Sequence, residues 1–437
     1  MIKHYLLFFS FIFCFSHFGY TQGSWIAIPN APTGGRYDDI SFANDSVGFI
    51  SQLCSVYKTT DKGNTWNQIA VLDSIEHYVR SIEFLNDSIG FAGLIESTSP
   101  LIGNIFKTTN GGYSWTLLQN MQIQPSDGIC GMAHFGNRLV AVGAYSQPAW
   151  FYKTDDFGAS WTKVDLSAFA VSLIDCYMFS HDTILVSGRA DQANQMAATI
   201  LKSTDGGVTW LRVYLSPHPY TLAWKMFFNA GGLGVASIET PASVETVART
   251  LDNGDTWSTE NLDTLPLPAH ADLGGIGMLN DTLGWVTCQS GPGTWETQDA
   301  GLSWNQITSP IEYGDRMVLV DSVTILAAGT TIYKYVLGPV GIPDSPVIRN
   351  ENSHSLLVYP NPVKEVITIE AVAITNTYGL VDIIDEKGIR VMRVTRQLFP
   401  KGKSAFSINL NKLSSGQYKV VWHSNEKLIT KSFTIAR

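Results

Sequence analysis

Apolar and polar positions alternate in short runs through most of the chain, and the runs recur as one unit. An apolar stretch leads into a polar Asn-Asp-Ser type turn and then a Gly-containing apolar stretch. Examples are Asp39-Ile40-Ser41-Phe42-Ala43-Asn44-Asp45-Ser46-Val47-Gly48-Phe49 and Gly277-Met278-Leu279-Asn280-Asp281-Thr282-Leu283-Gly284-Trp285. Short alternating runs bounded by Asn, Asp and Gly predict strands joined by tight turns. The unit starts seven times, near Ile40, Ile82, Met132, Tyr177, Met226, Ile276 and Val318. A third predicted strand follows each start and ends in Lys-Thr-Thr or its equivalent.

Six of these third strands run into an eight-residue pattern, hydroxyl-x-Asp-x-Gly-x-hydroxyl-Trp, first seen as Thr59-Thr60-Asp61-Lys62-Gly63-Asn64-Thr65-Trp66. It returns with Asn110 and Trp115, Asp156 and Trp161, Asp205 and Trp210, Asp252 and Trp257, and Asp299 and Trp304, and only Asn110 departs from Asp. The tryptophans are spaced 49, 46, 49, 47 and 47 residues apart, a period that marks an array of one supersecondary unit. A hydroxyl and a carboxylate two residues apart can both accept from the N–H groups of a tight turn, and the glycine takes the positive φ that other residues resist. Each pattern therefore predicts a hairpin turn, with the tryptophan entering a fourth strand and burying its ring between neighbouring units. The Asp-x-Gly runs resemble calcium loops only superficially, because the closing Glu of such a loop is missing.

Four short antiparallel strands in roughly 45 residues make a propeller blade, and seven starts imply seven blades. The last third strand, Ile332-Tyr333-Lys334-Tyr335, has no turn pattern after it, while Trp25-Ile26-Ala27-Ile28 is an orphan fourth strand. Pairing the two closes the ring and hides an edge; six blades with a loose end is the competing count. The fold class expected is all-β, a seven-bladed β-propeller over residues 22–338 followed by a small C-terminal β-sandwich.

The turn pattern resembles the Asp-box, or BNR, repeat of sialidases, sortilin-type receptors, xyloglucanases and photosystem II assembly-factor propellers. Arg80-Ser81-Ile82-Glu83-Phe84-Leu85-Asn86-Asp87-Ser88-Ile89-Gly90-Phe91 followed by Phe106-Lys107-Thr108-Thr109 looks most like the assembly-factor type.

Composition fits a turn-rich β protein: 45% hydrophobic residues, 15% charged, 38 Gly and 12 Trp. Residues 1–21 read as a signal peptide, with Lys3 and His4 ahead of an apolar core from Tyr5 to Phe15, and cleavage after Thr21 is expected. Phe13 is too bulky for the residue preceding a lipidated Cys14. No internal apolar run reaches the roughly 18 to 20 residues of a membrane helix. Cys54, Cys130, Cys176 and Cys288 form neither a disulfide framework nor a paired metal motif; Cys130 and Cys176 occupy similar places in consecutive repeats, where a disulfide is the alternative to the buried free thiols expected. Residues 1–354 hold 17 Lys and Arg against 32 Asp and Glu, net −15, and residues 355–437 hold 12 against 6, net +6, which sum to the total of −9. An acidic repeat region argues against nucleic acid or an anionic membrane as partner.

Loops leading into the innermost strand of each blade gather on one face around a propeller's channel. By register these supply Tyr37 and Asp38, His77, Tyr78 and Arg80, Asp127, Tyr220 and Trp224, His270 and Asp272, and Tyr313 and Arg316, a candidate rim for protein or glycan. The alternative is that they only cap and solvate the loops. A sialidase of this repeat class requires an Arg-Ile-Pro type motif, which is absent. A xyloglucanase-like hydrolase requires two facing carboxylates, for which Asp38, Asp127, Asp175, Asp272 and Asp315 are available. The histidines show no ligand spacing such as HExxH, so neither metal nor cofactor is expected. A monomer is expected.

After Tyr335 the chain turns to Gly338-Pro339-Val340-Gly341-Ile342-Pro343-Asp344-Ser345-Pro346, a linker over residues 339–354. Beyond it, Val358-Tyr359-Pro360-Asn361-Pro362, Asp385-Glu386-Lys387-Gly388, Leu413-Ser414-Ser415-Gly416-Gln417-Tyr418 and a closing Thr430-Lys431-Ser432-Phe433-Thr434-Ile435 predict a sandwich over residues 355–437. This order of motifs closely resembles the type A sorting domain of the type IX secretion system of Bacteroidota. The resemblance implies the secretion machinery as partner and a secreted or outer-surface location after export to the periplasm.

Overall fold

Each predicted repeat folds as a four-stranded antiparallel sheet, seven in all among the described residues. The computed structural model describes residues 23–72, 78–95, 105–118, 128–143, 148–192, 195–240, 246–262, 272–336, 355–373, 376–385, 390–424 and 428–437. They contain strands and turns but no helix, so no helix there is long and apolar enough to cross a membrane. The chain divides into two compact units, Met1–Val340 and Gly341–Arg437. The predicted signal peptide and linker lie outside the described residues.

In the first unit the innermost strands are Ile40–Phe42, Tyr78–Phe84, Gly131–Phe135, Ser172–Met178, Leu222–Phe228, Leu273–Met278 and Arg316–Asp321. Each contacts the next, and the seventh contacts the first, so the sheets form a closed ring around a channel. The seventh sheet is built from both ends of the unit: Ser24–Ala27 pairs with Ile332–Val336, with Trp25 opposite Tyr335 and Ala27 opposite Tyr333. Trp25 stands edge-on to Trp285 at 5.2 Å and to Tyr335 at 5.6 Å, sealing the seam with aromatic surface.

The six turns share one geometry. In the first, the Thr59 hydroxyl accepts from the Gly63 N–H at 3.0 Å and donates to Asp61 at 2.8 Å, while Asp61 accepts from the backbone and hydroxyl of Thr65 at 2.8 and 2.6 Å. The Trp66 indole closes the loop by donating to the Gly63 carbonyl at 3.0 Å, and the other five tryptophans repeat that bond at 2.9–3.2 Å. Two consecutive residues are left-handed, not one: Lys62, Gly111, Phe157, Gly206, Asn253 and Ala300 precede the glycine with φ of 55–74°. This double positive φ is the hairpin-compatible mirror turn.

The glycine also sets contact between sheets. A Cβ on Gly207 would meet Phe151 of the preceding sheet at 2.7 Å, and one on Gly63 would meet Leu326 of the seventh at 2.5 Å. The lysine ahead of the pattern reaches the next turn, as Lys153 Nζ does to the Gly206 carbonyl at 2.7 Å.

The second unit has a three-stranded sheet, Ser355–Tyr359, Val366–Ala373 and Gly402–Asn409, and a four-stranded sheet ordered Arg390–Phe399, Thr377–Asp385, Gly416–Ser424 and Leu428–Ile435. Strict alternation of exposure along Gly402–Asn409 marks the inward face of the three-stranded sheet. The two sheets supply a core that includes Ile367, Ile369, Ile383, Trp422 and Phe433. Arg437 fastens the end of the last strand by donating to the carbonyls of Leu410, Leu413 and Lys364 at 2.6, 2.7 and 2.9 Å.

Candidate functional site

Pairing register breaks at five of the innermost strands, between Val79 and Ser81, Leu173 and Asp175, Ala223 and Met226, Leu273 and Ile276, and Leu319 and Asp321. Bulges re-aim side chains, and three of these accompany a charged group in a largely buried strand, Arg80, Asp175 and Lys225, whereas the one after Leu273 spans Gly274 and Gly275. Arg80, Asp175 and Lys225 are all about 1% exposed.

These groups meet in one ionic cluster. The Arg36 guanidinium grips Asp315 through two bonds of 2.6 Å, lies 2.9 Å from Asp38 and donates to Gln289 at 3.0 Å. Arg80 donates to Asp38 at 2.6 Å, Tyr78 donates to the other Asp38 oxygen, and the Arg80 guanidinium lies 5.0 Å over the Trp224 ring. Arg316 reaches Asp175 at 2.9 Å and Asp39 at 3.3 Å, and Lys225 Nζ stands 3.9 Å from Asp175. Asp175 also accepts from the Met226 N–H at 2.9 Å, and Asp39 from the backbone of Ile40 and Ile82. Four cations, Arg36, Arg80, Lys225 and Arg316, thus face four carboxylates, Asp38, Asp39, Asp175 and Asp315.

Burial and partners pull these groups in different directions. Desolvation raises Asp39 and Asp315, with Asp38 adding to the rise at Asp315 and Arg36 opposing it. It lowers Lys225, against Asp175 and Asp39. At Arg316 burial alone would lower the pKa, but Asp175, Asp39 and Glu83 outweigh it and raise the group above its ordinary value.

A cavity of about 690 Å³ opens at the end of the channel where the innermost strands begin. Its wall includes Arg36, Arg189, Trp224, Glu239, Asp272, Gln289, Ser290 and Tyr313. A second cavity, of about 410 Å³, is lined by the opposite ends of the same strands and by Arg316. There His134 Nδ1 lies 2.7 Å from Glu83.

Of the expected rim, Trp224, Asp272 and Tyr313 line the larger cavity. Tyr37, Asp38 and Arg80 are buried instead of lying open on a rim: Tyr37 packs in a core with Ile50 and Trp66, and the other two belong to the ionic cluster with Arg316 and Tyr78. Tyr220 is exposed at a left-handed φ of 57° and is not among the cavity-lining residues. His77, Asp127 and His270 lie outside the described residues. The expectation missed Arg36, Arg189, Lys225, Glu239 and Gln289. A lysine inside Leu222-Ala223-Trp224-Lys225-Met226-Phe227-Phe228 was a readable signal, whereas Arg189 lies within a second strand, Glu239 ends one and Gln289 follows one, positions outside the loops that lead into the innermost strands. No disulfide joins Cys130 and Cys176.

Residues 357–436 match the family described as a secretion system C-terminal sorting domain. The ring of sheets aligns with solved propellers. The chain is a β-propeller with a C-terminal sorting domain. The propeller is similar to YCF48 bound to D1 peptide (TM-score 0.52, 16% identity, 73% of this chain and 98% of that one). It is similar to YCF48 from Cyanidioschyzon merolae (TM-score 0.52, 15% identity, 73% of this chain and 100% of that one). It is also similar to a GH74 xyloglucanase from Xanthomonas campestris at TM-score 0.52 and 11% identity, with 80% of this chain covering 59% of that one. At such identities these likenesses show the fold alone. No curated protein matches the sequence. The sorting domain supports export, to the cell surface or beyond.

Proposed function

We propose that this is a seven-bladed Asp-box propeller that recognises protein or glycan without catalysis, through the cavity where its innermost strands begin. Residues 355–437 engage the type IX secretion machinery, and the signal peptide over residues 1–21 delivers the chain to the periplasm first. The observation that carries the reading is the state of the channel acids. Asp38, Asp39, Asp175 and Asp315 are all engaged by arginine or lysine, so they serve cohesion, while the neighbouring cavity offers an aromatic ring, an amide and uncommitted charges. YCF48, a propeller of similar fold, is described as bound to a peptide.

One observation favours a second reading, a glycoside hydrolase. Glu239 and Asp272 share the cavity, and burial together with Asp272 raises Glu239, as a general acid beside a second carboxylate requires. A glycan array and a pull-down with the full chain, each repeated with Asp272→Asn, test recognition. Polysaccharide hydrolysis abolished by Glu239→Gln would replace it with the hydrolase reading. Export is tested by fusing residues 355–437 to a periplasmic reporter, which should leave the cell only when the secretion system is intact.

A further inference from the structure

The charged residues of the larger cavity fall into two groups. Arg36 belongs to the neutral channel cluster through Asp315 and Asp38. Arg189, Glu239 and Asp272 are not committed in that way. Arg189 donates to the Met196 sulfur at 3.8 Å, Glu239 accepts from the Gln289 amide at 3.4 Å, and the Asp272 carboxylate has no partner among the described residues.

The stretch of chain that carries Asp272 has no cation of its own. From residue 250 to residue 315 the sequence has no Lys or Arg against ten Asp and Glu, and this stretch supplies Asp272, Gln289, Ser290 and Tyr313 to the cavity wall. Tyr313, 43% exposed, adds a ring whose face attracts cations. Burial and Asp272 disfavour the charged form of Glu239, while Arg189 and Arg36 favour it, so an entering cation relieves a repulsion already present.

We infer that the cavity receives a Lys or Arg side chain from an extended polypeptide segment, with its cationic head set between Glu239 and Asp272. This rests on the cavity being the recognition site proposed above. The uncommitted Arg189 guanidinium then donates to a backbone carbonyl of the segment, and Tyr313 lies along the cationic side chain. Charge complementarity favours this occupant over a neutral glycan, which would bring no cation to relieve the repulsion between the two carboxylates.

The test is isothermal titration of the full chain with octalysine, octaglutamate and a xyloglucan oligosaccharide, with thermal unfolding confirming that each variant is folded. The expected result is saturable octalysine binding, weakened roughly tenfold by Asp272→Asn and by Glu239→Gln. Asp281→Asn removes an exposed acid of the same cation-free stretch outside the cavity and leaves the affinity unchanged. If Asp281→Asn weakens octalysine as much as the cavity variants do, the attraction is diffuse and the inference fails. Oligosaccharide binding that depends on Asp272, without octalysine binding, overturns the cationic occupant and keeps the recognition site. If no probe depends on Asp272 or Glu239, both readings fall.

Discussion

Arg316 spans the channel to Asp175, with Nη1 at 3.0 and 2.9 Å from the two carboxylate oxygens of a residue 141 positions away in the chain. The pair joins the seventh sheet to the fourth, which are not neighbours in the ring, and Asp39 ties the same arginine to the first. Replacing Arg316 by Met leaves two buried carboxylates without their main cation. A loss of about 3–5 kcal/mol is expected by guanidinium denaturation, with the double substitution R316M/D175N recovering part of it. Equal midpoints for wild type and R316M would show that the pair contributes no cohesion.

The seam makes a second prediction. Trp25 is buried between Trp285 and Tyr335, and Trp25→Ala opens a cavity at the point where the ring closes. A stability loss of about 3–5 kcal/mol is expected. Size-exclusion chromatography should also show association, because a loosened outer strand exposes the edge of Ile332–Val336.

Two glycines separate backbone conformation from packing. Gly34 has φ of 99° with open space where a Cβ would go, so Gly34→Ala should cost about 1 kcal/mol. Gly207 combines φ of 86° with a Cβ position 2.7 Å from Phe151, so Gly207→Ala should cost at least about 2 kcal/mol. Matching thermal shifts for the two variants would contradict the contact with the preceding sheet.

The turn aspartates predict the acid limb of stability. Bonds from Ser160 hold Asp156 at about 2, bonds from Thr209 do the same for Asp205, and at Asp252 those from Thr256 and Thr250 override burial to the same level. These folded-state values lie below the ordinary 3.8, so the contribution is present above pH 3.8 and is lost as pH falls toward 2. Unfolding followed by tryptophan fluorescence should begin below pH 4 and become less steep in the triple Asn variant of these residues. Asn110 already occupies this place in the second turn and keeps the bond to the Ser114 N–H at 3.0 Å, so the triple variant should fold.

Much of the ring was legible because its turns are local. Thr59, Asp61, Gly63 and Trp66 make their bonds within one loop, so spacing alone identified the hairpins and the orphan strand at Trp25. The second left-handed position was also readable, since Gly111, Gly206 and Asn253 precede the glycine in three of six turns. The candidate site was less legible. Whether Asp38 or Arg80 faces solvent or the channel depends on bulges and on partners from other sheets, and Arg36 meets Asp315 across 279 positions of sequence. Glu239 and Gln289 were missed because they reach the cavity from the last residue of one second strand and the first residue after another.

A propeller whose first and last strands lie side by side in one sheet, as Ser24–Ala27 and Ile332–Val336 do, is circular in all but the covalent bond. One proteolytic cut at an exposed hairpin therefore leaves the wheel assembled, held by non-covalent zippers on either side of the nick. Joining Ser24 to Val336 through a short bridge in the propeller unit and opening it at another hairpin should yield the same wheel from a permuted order of repeats.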